Sequence, residues 1–277
     1  MIGNKNRVAL GAVAAIALMV LSSLAGSALG AETRTPDVSK DVREALGGLE
    51  SGTADKNEDG VADYTRQCNI TALRVVDADN DSNPEFYFIE AVCREAADRN
   101  GNGTMDTWRN TRANLTRVDS DDDGNPEKVE LNVRMHLTAD RNEDNVTDVE
   151  RGVEFSAVTA DRDSDGRRDL VAAERTERWS VDIDFDGADD VWGGENAAGR
   201  AADLAGSQDL DIFYAARTGH TASDTDGDGE PNAERTHQEM VFARDFDGDG
   251  HIDVLRVASS RASMVDRDGD GTPEGAE

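Results

Sequence analysis

One nine-residue segment recurs eleven times along this chain, and its spacing constrains the fold more than any other feature. Asp55-Lys-Asn-Glu-Asp-Gly-Val-Ala-Asp63 returns as Asp77-Ala-Asp-Asn-Asp-Ser-Asn-Pro-Glu85. It starts again at Asp98, Asp119, Asp140, Asp161, Asp182, Asp203, Asp224, Asp245 and Asp266. The first step is 22 residues and every later one is 21. Acidic chains poor in apolar residues are often disordered, and this one carries 59 Asp and Glu against 29 Lys and Arg. A period held over most of the length is the mark of a repeat architecture instead. The net charge of -30 also excludes a nucleic-acid or anionic-membrane surface, which needs clustered Lys and Arg.

Nearly all copies obey D-x-[DN]-x-[DN]-G-x-x-[DEN]. Side-chain oxygens at positions 1, 3 and 5 converge when the backbone curls, and Gly at position 6 permits the turn. A carbonyl at position 7 and a side chain at position 9 complete the set. Hard oxygen ligands in flexible number suit calcium; magnesium, which prefers a tighter octahedron with more water, is the second choice. Acids fill all four side-chain positions at Asp77/Asp79/Asp81/Glu85, Asp119/Asp121/Asp123/Glu127, Asp161/Asp163/Asp165/Asp169 and Asp182/Asp184/Asp186/Asp190. They also do so at Asp245/Asp247/Asp249/Asp253 and Asp266/Asp268/Asp270/Glu274. Amides enter at Asp55/Asn57/Asp59/Asp63, Asp140/Asn142/Asp144/Asp148 and Asp224/Asp226/Asp228/Asn232. Asp98/Asn100/Asn102/Asp106 keeps two carboxylates and is expected to bind more weakly. The loop at Asp203 has Ala205, Ser207 and Gln208 at positions 3, 5 and 6 and is expected to bind no metal, which leaves about ten sites. Ser82 and Asn145 replace the turn glycine in two copies, and Asn tolerates a positive φ.

These loops resemble those of thrombospondin type 3 repeats, and more loosely those of integrin-type propellers and EF-hands. An EF-hand closes with a bidentate Glu at position 12, where this chain has residues such as Arg66, Phe88 and Tyr214. The type 3 resemblance covers residues 55–277 at the level of the loop motif. It implies calcium ligation and a structural or adhesive role at a cell surface or matrix. Type 3 repeats are mostly loop, whereas a 12-residue segment follows nearly every loop here.

Those segments read as strands. In Lys128–Ala139, Val129, Leu131, Val133, Met135, Leu137 and Ala139 alternate with polar residues at strict period two, without Gly or Pro. The expected class is all-β, with about ten strands joined by the loops. One strand per repeat fits either a stacked solenoid or an antiparallel meander. A hairpin folded about Asp81 pairs residues whose numbers sum to about 162, and Cys68 and Cys93 sum to 161. A meander with a Cys68–Cys93 disulfide is therefore favoured over two free buried thiols. Ten strands with one apolar face are expected to curl or to close into a barrel. Gly193, Gly194 and Gly199, followed by the defective loop at Asp203, mark either a bend in the sheet or a drifted repeat. Residues 266–277 supply a last loop as a terminal cap.

Ahead of the repeats, Lys5 and Arg7 precede an uncharged run from Val8 to Ala31 ending in Ala28-Leu29-Gly30. Residues 1–30 read as a signal peptide cleaved before Ala31, with an uncleaved anchor as the alternative. Residues 31–54 read as a linker, either a short helix or a disordered spacer. The mature protein is thus expected to be secreted or at the cell surface (periplasmic or on the outer surface if bacterial), without a stable membrane span. An enzyme is disfavoured: His136, His220, His237 and His251 are scattered, and no nucleophile or phosphate-loop motif is present. The alternative to a structural protein is a calcium-dependent module for an extracellular glycan or protein, with Trp108, Trp179 and Trp192 as a platform. The loops hold 43 acids and 7 bases, so they carry -36 and the rest of the chain carries +6. The charge lies in the loops, on a weakly basic framework.

Overall fold

The computed structural model describes residues 51–81, 83–166, 168–203, 211–247, 251–266 and 275–276. The expected signal peptide and nearly all of the linker lie outside them. The described residues form one antiparallel sheet of twelve strands, in chain order from edge to edge. These are β1 (Gly52–Ala54), β2 (Tyr64–Val76), β3 (Phe86–Ala97), β4 (Thr107–Val118), β5 (Lys128–Ala139) and β6 (Val149–Ala160). They continue as β7 (Leu170–Val181), β8 (Val191–Ala202), β9 (Ile212–Ser223), β10 (Ala233–Arg244), β11 (Val254–Val265) and β12 (Gly275–Ala276). Gly52–Ala54, read above as the end of a linker, pair with Tyr64–Arg66 as a short edge strand.

The period dictates this regularity. A 12-residue strand and a nine-residue loop make 21, so from β3 to β11 each hairpin pairs all twelve residues without slipping, as from Lys128↔Ala160 to Ala139↔Val149. The single 22-residue step has a structural cause: β2 has 13 residues, and its extra one is a bulge between Ile70 and Ala72. Thr71, at that bulge, donates its hydroxyl to Glu90 Oε1 at 2.6 Å. Cys68 lies directly opposite Cys93, and the two form a disulfide.

The sheet stays open, with β1 and β12 as its edges; the barrel alternative is not adopted. The reason lies in the face that closure would have to cover. Its best-packed part is Ile89, Ala91, Cys93, Ala113 and Leu115, flanked by Tyr87, Val129, Leu131 and Val133. Beyond β6 the same face turns to small and charged residues, along the rows Phe155↔Arg175↔Ala197↔Arg217 and Val153↔Glu177↔Glu195↔Gly219. Glu177 pairs with Arg151 at 2.6 Å and also with Arg175, and Arg217 pairs with Glu195 at 2.6 Å. Acids of the framework, outside the loops, are thus used in cross-strand ion pairs.

Strand β8 is continuous and paired on both sides despite its glycines, so neither a break nor a bend occurs there. A Cβ at Gly193 would lie 2.6 Å from the His220 carbonyl oxygen and 2.9 Å from Trp179 Cζ2. Glycine there admits the indole of the neighbouring strand.

Candidate metal centres

Among the described residues, most loops are wired by the same carboxylates that the motif requires. The position 1 aspartate accepts the backbone N–H of positions 4 and 6: Gly101 and Gly103 at 2.7 Å each for Asp98, and Phe185 and Gly187 at 2.7 and 2.8 Å for Asp182. Position 9 accepts the N–H of position 2, as Asp106 does from Arg99 and Asp253 from Phe246. Positions 3 and 5 accept from residues two further on, as Asp184 does from Asp186 and Asp186 from Ala188. These bonds orient the side chains while leaving lone pairs directed into the loop. Positions 1 and 9 are mostly buried, including Asp119 at 0% exposure, Asp148 at 1%, Asp161 at 2% and Asp182 at 2%. Positions 3 and 5 lie at the surface.

In four of the all-acid loops carboxylates converge. Ligand oxygens lie within 4.8 Å of one another in Asp119/Asp121/Asp123/Glu127, Asp77/Asp79/Glu85, Asp161/Asp163/Asp169 and Asp182/Asp184/Asp190. Several clusters can therefore coordinate a divalent cation. Asp119 Oδ1, Glu127 Oε1, Asp148 Oδ1 and Asp161 Oδ1 are buried without a hydrogen-bond partner, and a cation satisfies such oxygens. Desolvation and the carboxylates of Asp165 and Asp169 raise the Asp163 carboxyl above its ordinary value. Desolvation, Asp186 and Asp190 do the same to Asp184. Asp224 is held low: burial opposes ionisation, but the N–H groups of Gly229, Gly227 and Asp226 outweigh it.

Where Asn replaces Asp, the amide bonds a neighbouring ligand. Asn57 Nδ2 donates to Asp59 at 3.1 Å, Asn142 Nδ2 to Asp144 at 3.0 Å and Asn232 Nδ2 to Asp226 at 3.2 Å. In the loop at Asp98, Asn100 and Asn102 both donate to Glu143 of the loop two repeats later. Loops on the same side of the sheet are also joined through backbone: Asp140 N–H donates to the Asp106 carbonyl and Asp161 N–H to that of Glu127.

Of the remaining expected ligands, Asp55 caps Gly60, and Asp63 is buried and accepts from Asn57. Asp81 accepts from Asn83, Asp123 from Asn125 and Asp228 from Glu230. Asp245 and Asp266 are buried. Asp247, expected as the position 3 ligand of its loop, is exposed and stands outside the four clusters named above. Its backbone N–H donates to Asp245 Oδ1 at 3.2 Å, which ties it to the first ligand of that loop. The position 5 acid of the same loop, Asp249, lies outside the described residues, as do Asp268, Asp270, Glu274 and Ser82. So do residues 204–210 of the loop expected to bind nothing; its position 9, Asp211, is buried at 7% exposure.

One position escaped the reading of the motif. Position 4 adopts a left-handed backbone like position 6: Glu58, Asn80, Asp122, Glu143, Ser164 and Phe185 have φ between 58° and 66°. Its signal was the recurrent Gly at 101, 227, 248 and 269. A bulky residue pays for that conformation; Phe185→Gly should therefore stabilise the protein by about 1 kcal/mol. Thermal unfolding checks it, and a loss of stability would show that the Phe185 side chain has a contact outweighing the strain.

The three tryptophans do not share a platform. Trp179 lies opposite Gly193 on one face, while Trp192 lies opposite Ser180 on the other, with Trp108 four strands away from Trp192. No helix among the described residues is long and apolar enough to cross a membrane. No protein-family model, curated protein or solved structure matches this chain.

Proposed function

We propose that this chain is an exported, non-enzymatic calcium-binding repeat protein with a structural or adhesive role at a cell surface or in a matrix, its fold stabilised by the ions its loops hold. The observation that carries the reading is the convergence of buried carboxylate oxygens without hydrogen-bond partners in the loops, at Asp119, Glu127 and Asp161 above all. Calcium fits better than magnesium, because up to four carboxylates and a carbonyl exceed what a small, reluctantly dehydrated ion takes. The all-acid loops at Asp77, Asp119, Asp161 and Asp182 are the strongest candidates. Those with amides follow, and the loop at Asp98 comes last because its two amides are engaged by Glu143.

Elemental analysis of the purified full chain, equilibrated with equal calcium and magnesium, tests this. At least four calcium ions per chain are expected, with little magnesium. A chain that retains neither ion would sink the reading.

A second reading, a calcium-dependent glycan- or protein-binding module, is favoured by a groove of about 780 Å³ across β6–β11. Trp192, Asn196, Thr218, His220 and Gln238 line it. Its volume is that of a ligand site. Ligand capture that requires calcium and is lost in Trp192→Ala would favour it.

A further inference from the structure

We infer that Arg117 is a resident cation of the loop Asp119–Glu127, closing that loop without a metal and weakening its hold on calcium. The proposal rests on the calcium reading of the loops. Arg117 stands two residues before the first loop aspartate, and in the other ten repeats that place holds Thr, Ser, Ala, Val or Met. Its side chain lies at the end of β4 between Tyr87 and Val129 on the flanking strands. Only 4% of it is exposed.

From there Nη2 donates to Asp119 Oδ2 at 3.1 Å and to the Gly124 carbonyl at 2.9 Å. Six other loops show what that oxygen ordinarily does. In those starting at Asp55, Asp98, Asp140, Asp161, Asp182 and Asp224, the Oδ2 of position 1 accepts the backbone N–H of position 6, at 2.7 to 2.9 Å. At Asp119 the guanidinium takes that part at 3.1 Å, and the side-chain amide of Asn83 donates to the same oxygen at the longer distance of 3.4 Å. Asp119 is fully buried and its Oδ1 has no hydrogen-bond partner. This loop therefore combines a ligand oxygen prepared for a cation with a permanent positive charge on the same carboxylate.

Two consequences follow from the charges. Without an ion, Arg117 offsets part of the repulsion among the five acids of this loop, so the loop is held closed. With an ion, the guanidinium repels it, because site affinity follows net ligand charge.

The test compares the full-length wild type with Arg117→Met, which keeps the length of the stem and removes the charge, and with Arg117→Lys, which keeps the charge. Arg175→Met is the control for loss of a strand arginine away from the loops. Melting temperature in chelator and in calcium, together with calorimetric calcium titration, are the readouts. Arg117→Met should melt lower than wild type in chelator and recover most of the difference in calcium. One of its sites should tighten about tenfold. Arg117→Lys should keep the calcium dependence of wild type, and Arg175→Met should lose equally in both buffers. If wild type shows calcium dependence and Arg117→Met shows no more of it, the proposal is overturned alone. Wild type that takes up no calcium overturns the loop reading and this proposal with it. If Arg117→Met folds in neither buffer, Arg117→Lys decides, and a gain in its calcium dependence would overturn the proposal.

Discussion

Transfer of the full chain from millimolar calcium to excess chelator should lower its melting temperature by about 20 °C or more. Each ion bound at a hundred times its dissociation constant stabilises the folded state by about 2.7 kcal/mol. Loss of four such ions therefore removes about 10 kcal/mol, comparable with the whole stability of an ordinary domain. The clusters within 4.8 Å at Asp77, Asp119, Asp161 and Asp182 supply those four sites. Acid makes the test sharper. In chelator the carboxyls of Asp122, Asp163 and Asp184 lie above the ordinary aspartate value, for want of solvation and because acids surround them. A raised carboxyl contributes stability that is full below the unfolded value and lost as pH rises through the folded one. Acidification from neutral pH toward the ordinary aspartate value should thus recover some stability in chelator, as these groups protonate ahead of their unfolded counterparts. Asp224 and Glu127, held low by hydrogen bonds that outweigh burial, act against this only at lower pH. In calcium the same acidification should destabilise, because protons compete with the ion for its ligands. Melting curves that ignore both calcium and chelator would end the calcium reading.

Removal of the Cys68–Cys93 bridge by the double serine variant should cost about 3 kcal/mol, the entropy of opening a loop of 25 residues. The loss should fall first on β2. That strand has only the three-residue β1 beyond it, and it exposes Ile70, Leu73, Val75 and Val76 at 50% or more. The bridge fastens this poorly covered strand to the best-packed part of the sheet at Cys93, which is 1% exposed. Hydrogen exchange is expected to speed up across Tyr64–Val76 while β6 and β7 keep their protection. Uniform loss of protection over all strands would instead mean that the bridge holds the entire sheet.

Much of this architecture was legible because a single period governs it. The spacing of the loops set the strand length, and the alternation in Lys128–Ala139 identified the element. The positions of Cys68 and Cys93 chose the meander over the solenoid. The choice between a curled open sheet and a barrel stayed undecided because that one strand was taken to represent all of them. On β7 to β9 its apolar face becomes Arg175, Glu177, Glu195 and Arg217, paired with one another rather than hidden. The acids that cluster in the loops were visible in the motif, but the hydrogen bonds of Asn100 and Asn102 to Glu143 were not, because only the sheet brings loops 42 residues apart side by side. Arg117 was invisible for a related reason: it lies outside the nine-residue motif and acts on the loop through space.

The meander order has a mechanical consequence. Neighbours in the sheet are neighbours in the chain, and β1 and β12 form opposite edges. Tension applied between those edges loads the interstrand hydrogen bonds one row at a time, as in peeling, and spares the rows behind. Each strand that comes away releases 21 residues with its loop, a slack of about 70 Å at full extension. On the calcium reading, the steps that open an acidic cluster, such as those at Asp119, Asp161 and Asp182, would need a force that depends on the calcium around them. Under load such a sheet would extend as a series of small yields, where a single rigid domain would fail at once.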